Sequence, residues 1–124
     1  MMKFRTLKIA ICFNFEDEKF KEVESVAIKQ GIKIKRPKKD EFAEPVGSMA
    51  GLLGVEGKSG IIDFDDEFML LYGFPGTELD KFLKALRANK IDVPLKSMLT
   101  ETNKSWLPGE LIKEIKKEHE QMNK

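Results

Sequence analysis

A chain of 124 residues, 41% hydrophobic and 35% charged, is sized for one domain with an ordinary core, so no metal or disulfide staple is required. Lys and Arg number 22 against 21 Asp and Glu, and a formal charge of +1 excludes a strong overall field for nucleic acid or an anionic membrane. The single cysteine, Cys12, excludes an internal disulfide framework; with no apolar run of about eighteen residues and no cleavage pattern after MMKFRTLK, a cytoplasmic protein is expected.

The run LKIAICFNF predicts a first strand over Leu7 to Phe13, with Cys12 an inert buried thiol among apolar neighbours. A helix follows, with Asp17 expected to cap its first turn, Phe20, Val23, Val26 and Ala27 on one face, and Gly31 as its stop. IKIKRP alternates Ile32 and Ile34 with Lys33 and Lys35, the pattern of a half-buried edge strand that Pro37 ends and whose lysines discourage further pairing.

Phe42, Val46, Met49, Ala50 and Leu53 fall at helical spacing, but Pro45 and Gly47 limit this to a short helix starting near Pro45. VEGKSG reads as a glycine-rich loop, and a third strand is expected from Phe68 to Tyr72, ending at Gly73. Thr77 with Asp80 resembles a capping box for the next helix, whose apolar stripe is Leu79, Phe82, Leu83 and Leu86. VPLKSMLT predicts a fourth strand reaching Leu99, and PGELIKEIKKEHEQM a last helix with Leu111, Ile112, Ile115 and Met122 inward.

The order β-α-β-α, twice over, predicts a single α/β domain over 1–124 with a four-stranded, mainly parallel sheet in the order 2-1-3-4 and helices on both faces. The alternative is a ferredoxin-like α+β fold with an antiparallel sheet. Two βαβα halves, about 1–60 and 61–124, are compatible with the pattern: a shift of 59 residues lays Phe20, Val23 and Ala27 on Leu79, Phe82 and Leu86, Ile32 on Ile91 and Ile34 on Val93. Phe15/Phe74 and Ile32/Ile91 are the identities among thirty such pairs, and unrelated βαβ units share this pattern.

In an open parallel sheet, ligands gather beyond the carboxyl ends of the strands, where helix N-termini meet anions. Those ends are Asn14, then Arg36 and Lys38, then Gly73 and Gly76, then Thr100, Thr102 and Asn103, which are expected to face the glycine loop across a cleft. Trp106 is a candidate for stacking on a planar ligand. Each has a structural reading as well: Thr and Asn satisfy backbone groups in turns, and an aromatic before a helix packs beneath it. His119 has no Ser, Cys or second His nearby, so neither a triad nor a zinc site assembles around it.

GVEGKSG lacks the leading glycine of a phosphate loop and follows a helix where a strand is needed, while Asp63, Asp65, Asp66 and Glu67 lack the twelve-residue calcium frame. Lys29, Lys33, Lys35, Arg36, Lys38 and Lys39 form a basic patch without the interleaved aromatics that stack bases. Two function classes follow. One is a small-ligand or regulatory module holding an anionic metabolite at Thr100, Thr102, Asn103 and Arg36. The other is a protein-interaction or homo-oligomerisation domain using the edge strand or the middle helix. No cofactor is called for, and no nucleophile with a base and no paired carboxylates are visible.

From FMLLYGFPGTELDKFLKALR to LTETNKSWLPGELIKEIKKEHE, residues 68–119, the chain resembles a small bacterial family known only as a domain of unknown function. Its hallmarks are a hydrophobic strand ending in Gly, a helix, an LTxTN segment followed by Trp, and a Leu-rich helix ending near Glu-His. The matching positions here are Gly73, Leu99, Thr100, Thr102, Asn103, Trp106, Glu118 and His119. One departure is that Leu107 and Pro108 stand where a capping Thr or Ser is expected. The resemblance implies no activity.

Overall fold

A computed structural model gives the structure of the chain, described for residues 8–52, 55 and 63–122, with side chains through 119. Among the described residues the strands are β1 (Ile9–Phe13), β2 (Lys33–Lys35), β3 (Phe68–Tyr72) and β4 (Lys96–Met98). The helices are α1 (Asp17–Lys29), α2 (Val46–Met49), α3 (Gly76–Ala88) and α4 (Pro108–Met122), with a 3-10 turn at Lys39–Ala43. Leu7, Leu53, most of GVEGKSG and the side chain of Met122 lie outside the described residues.

The sheet has the expected order, β2-β1-β3-β4. β1 runs parallel to β2, and β3 parallel to β4, but β1 and β3 are antiparallel, with Ile11 opposite Leu70. The fold is α/β with a mixed, mostly parallel sheet, and the expectation of crossovers throughout is corrected at its centre. Parallel neighbours need a helix long enough to carry the chain back along the strand. The four residues of α2 span about 6 Å at 1.5 Å each. The connection leaves after Lys35 and returns beside Asn14, whose amide nitrogen donates to the carbonyls of Phe64 and Asp66. β3 therefore starts at the end where β2 finished.

Helices cover both faces. On one, Ala10, Cys12, Met69 and Leu71 pack against Val23 and Ala27 of α1 and Phe82 and Leu86 of α3. On the other, Ile9, Ile11, Phe13, Phe68 and Leu70 meet Phe42, Val46, Leu111, Ile112 and Ile115. β1 is buried along its whole length, as befits a central strand with an unbroken apolar run. At its carboxyl end Phe13 stacks on Phe68 at 5.2 Å and meets Phe42 edge-on at 5.4 Å. Each such ring contributes about 1.5–3 kcal/mol by leaving water.

Three caps differ from the sequence expectation. Asp17 is the first residue of α1 and caps nothing; Glu16 stands at the N-cap position without a side-chain bond. Thr77 and Asp80 form no capping box, because α3 begins at Gly76 with Pro75 as its N-cap. At α4, Pro108 occupies the first helical position, where its missing N–H costs nothing, and Glu110 Oε1 accepts the Leu107 N–H at 3.1 Å. That bond is the glutamate half of a capping box, made without the Thr or Ser hydroxyl that would accept from a first-turn N–H. No helix among the described residues is long and apolar enough to cross a membrane.

Candidate functional site

The antiparallel centre sorts the predicted site residues into two groups at opposite ends of the sheet. Asn14 and Arg36 follow β1 and β2 at one end; Gly73, Gly76, Thr100, Thr102 and Asn103 follow β3 and β4 at the other. In the first group, Asn14 takes a left-handed φ of 62°, and its amide ties down the chain at Phe64 and Asp66. Arg36 Nη1 lies 2.7 Å from Asp17 Oδ1, and its guanidinium sits 4.7 Å from the centre of the Phe20 ring. Lys35 Nζ donates to the Met49 carbonyl at 2.7 Å. A cavity of about 90 Å³ lies here, between Lys35, Arg36, Pro37, Glu41 and Met49.

In the second group the polar segment closes on itself. The Thr100 N–H donates to Asn103 Oδ1 at 2.8 Å, the Asn103 N–H to Thr100 Oγ1 at 3.2 Å, and Asn103 Nδ2 to the Met98 carbonyl at 3.1 Å. Asn103 is buried, as a side chain with all these partners must be, while Thr100 and Thr102 are exposed. Trp106 is half-buried against the core under α4, the packed position the sequence offered as its structural reading. Gly73 turns the chain out of β3 with φ 82°, and Gly76 is exposed as the first residue of α3.

Sequence reasoning missed what this segment rests on. The Val46 N–H donates to the Trp106 carbonyl at 2.9 Å and the Gly47 N–H to the Lys104 carbonyl at 2.8 Å, so the loop supplies the first turn of α2 with acceptors. A Cβ on Gly47 would lie 2.7 Å from the Lys104 oxygen. The signal was the glycine just inside a Pro-led helix start. Val46, Gly47 and Met49 are buried, which leaves Ser48 as the part-exposed residue of the middle helix.

The acidic cluster of residues 63–67 is paired with lysines from three different segments. Lys39 pairs with Asp63 at 3.0 Å and Asp65 at 2.8 Å, Lys116 with Asp66 at 3.2 Å, and Lys19 with Glu67. Hydrogen bonds from the Lys39 ammonium to the two aspartates push that ammonium up, and the same contact holds the Asp63 carboxyl down. The Lys8 ammonium does the same to Glu78. Burial pushes the Cys12 thiol up to about 12, so it is neither nucleophile nor ligand. Among the described residues no cluster of three His, Cys, Asp or Glu side chains is placed to hold a metal.

The outer strand β4 has a different character. The Met69 N–H bonds to the Leu95 carbonyl and the Leu99 N–H to the Leu71 carbonyl, so alternation turns the Lys96 N–H and C=O and the Met98 N–H away from β3. Asn103 holds the next outward group, the Met98 carbonyl. A cavity opens beside the strand on each face. On the α3 side, about 160 Å³ lies between Leu83, Leu86, Arg87, Val93 and Lys96. On the α4 side, about 130 Å³ lies between Pro94, Leu95, Lys96, Ile115, Glu118 and His119. Met98, 36% exposed, points to the α3 side with Leu71, its ladder partner.

The fold and its edges define a small mixed-sheet α/β domain. Residues 67–122, β3 through α4, match the model of a family described as Domain of unknown function (DUF3783), which bears out the resemblance read over 68–119 and carries no assigned activity. No curated protein and no solved structure matches the chain.

Proposed function

We propose that this chain is a protein-interaction module that receives an extended segment of a partner protein along β4. The observation that carries the reading is the pair of cavities flanking one edge strand, one on each face. Side chains of an added strand alternate between faces, so successive residues of the partner enter first one cavity and then the other. At about 160 and 130 Å³ each cavity suits a single apolar side chain. Pockets that enclose small metabolites are larger, about 300–1,000 Å³. The small-anion reading has less support, because its candidates stand at opposite ends of the sheet and Asn14, Arg36, Thr100 and Asn103 are bonded within the fold.

The Lys96 N–H and C=O and the Met98 N–H bond the incoming backbone, and Asn103 ends the docking edge by keeping the Met98 carbonyl. The test is selection of a phage-displayed random-peptide library against the full chain, repeated against Lys96→Pro. Proline at 96 removes a donor that faces away from β3 and leaves the β3 ladder intact. Enriched peptides should carry two adjacent apolar residues, one for each cavity, and be lost on Lys96→Pro. Absence of enrichment, or equal binding to both proteins, contradicts the proposal.

A further inference from the structure

Adding 59 to the numbers of β1, Ile9–Phe13, gives β3, Phe68–Tyr72, and the same shift carries α1, Asp17–Lys29, onto α3, Gly76–Ala88. The turns agree as well. Left-handed residues stand at Asn14 and Gly73 after the strands, with φ 62° and 82°, and at Gly31 and Lys90 after the helices, with φ 68° and 58°. Helix entry and exit bonds repeat in kind: Phe20 N–H to Glu16 and Leu79 N–H to Pro75, then Ile32 N–H to Ala27 and Ile91 N–H to Leu86.

After Ile91 three residues are inserted and the shift becomes 62. The ladders show this, since Ala10 pairs with Ile34 and its equivalent Met69 pairs with Lys96. Ile34 therefore corresponds to Lys96, and not to Val93 as a constant shift of 59 has it. The shift of 62 then holds. The Lys38 N–H donates to Glu41 Oε1 as the Thr100 N–H does to Asn103 Oδ1, and α2 begins at Val46 as α4 begins at Pro108. The polar segment thus has a counterpart in the first half.

The seam has the symmetry that such a repeat demands. Ile11 faces Leu70, its own equivalent, while Ile9 faces Tyr72 and Phe13 faces Phe68, so each pair exchanges equivalent positions. This is isologous pairing about a two-fold axis through the sheet, and it leaves α1 and α3 on one face. We propose that the chain is two copies of one βαβα unit fused in tandem, and that the β1–β3 seam is an interface whose partner is a second copy of the unit. The family match, residues 67–122, spans one unit. Alone, that unit keeps the β3–β4 ladder but leaves the other edge of β3, the one that faces β1, unpaired along five residues, of which Phe68 through Leu71 are buried here. The first half of this chain supplies the missing copy.

The test is a pair of full-length chimeras. In one, residues 9–32 carry the sequence of residues 68–91; in the other, they carry residues 67–90, a one-residue slip that turns every strand side chain to the wrong face. The first should unfold cooperatively as a monomer with the parent's far-UV circular dichroism, and the second should not. If both fail, the smaller pair decides, with residues 17–29 replaced by 76–88 or by 75–87. Contrast between members of a pair supports the proposal, and equal behaviour of the members in both pairs overturns it.

Discussion

Ile11 and Leu70 stand directly opposite each other at the middle of the β1–β3 ladder, each 1% exposed and each in the core under α4. Their burial is matched, so the loss of either should cost a similar amount. Ile11→Ala and Leu70→Ala are each expected to destabilise the fold by about 2–5 kcal/mol in urea unfolding, and the double variant to depart from additivity because the two share one cavity.

Gly47 has a backbone neighbour where a side chain would begin: the Lys104 carbonyl oxygen is 2.7 Å from the place a methyl carbon would take. A carbonyl fixed by the Gly47 N–H itself has little room to retreat. Gly47→Ala should therefore cost about 1–3 kcal/mol, and amide hydrogen exchange should rise at Val46 and in 100–107 before it rises in the sheet.

Asn103 and Thr102 are neighbours with opposite expectations. Asn103→Ala leaves the Thr100 N–H and the Met98 carbonyl without their side-chain partner and should cost about 1–3 kcal/mol by thermal or urea unfolding. Thr102 is exposed, and Thr102→Ala should stay within about 0.5 kcal/mol of the parent.

Lys90 holds a left-handed φ of 58° at the position equivalent to Gly31. A side chain there is strained, and glycine is not. Lys90→Gly should raise stability by about 0.5–1 kcal/mol, whereas Gly31→Ala, with open space around it but a φ of 68°, should lower it by about 1 kcal/mol; urea unfolding of both variants checks the pair.

Cys12 stays a neutral thiol in the fold, its value pushed up from 9.0 to about 12 chiefly by burial. The unfolded chain ionises first as pH rises, so the thiol's contribution is intact below about pH 9 and declines above it, on the order of 1.4 kcal/mol per pH unit. Cys12→Ser or Cys12→Ala should flatten this part of the stability profile. Thiol labelling of the parent should follow global unfolding.

Much of the fold was legible because β3, α4 and the edge character of β2 depend on local pattern: FMLLY bounded by Gly73, Pro108 at a helix start, and lysines alternating with Ile32 and Ile34. The antiparallel centre was not, because strand direction depends on where the connection after Lys35 returns, and that is set by the distant bonds of Asn14. Of the proposed repeat, the sequence matches hold as far as Ile32 and Ile91; beyond them a constant shift lays Ile34 on Val93, whereas the ladders put Lys96 in the matching place. The predicted order already made β4 an outer strand, but which of its backbone groups face outward was hidden for the same reason as the α2 clasp. Both arise from carbonyl and N–H directions, which side-chain type does not report.

Everything proposed for function turns on the docking edge at β4, and isothermal titration decides it, using a peptide selected on the full chain and Lys96→Pro as the paired measurement. Saturable one-to-one binding to the parent is expected, weakened at least about tenfold in Lys96→Pro, the 1.4 kcal/mol that accompanies loss of one backbone hydrogen bond. Undiminished affinity in Lys96→Pro with an unchanged melting temperature would contradict it.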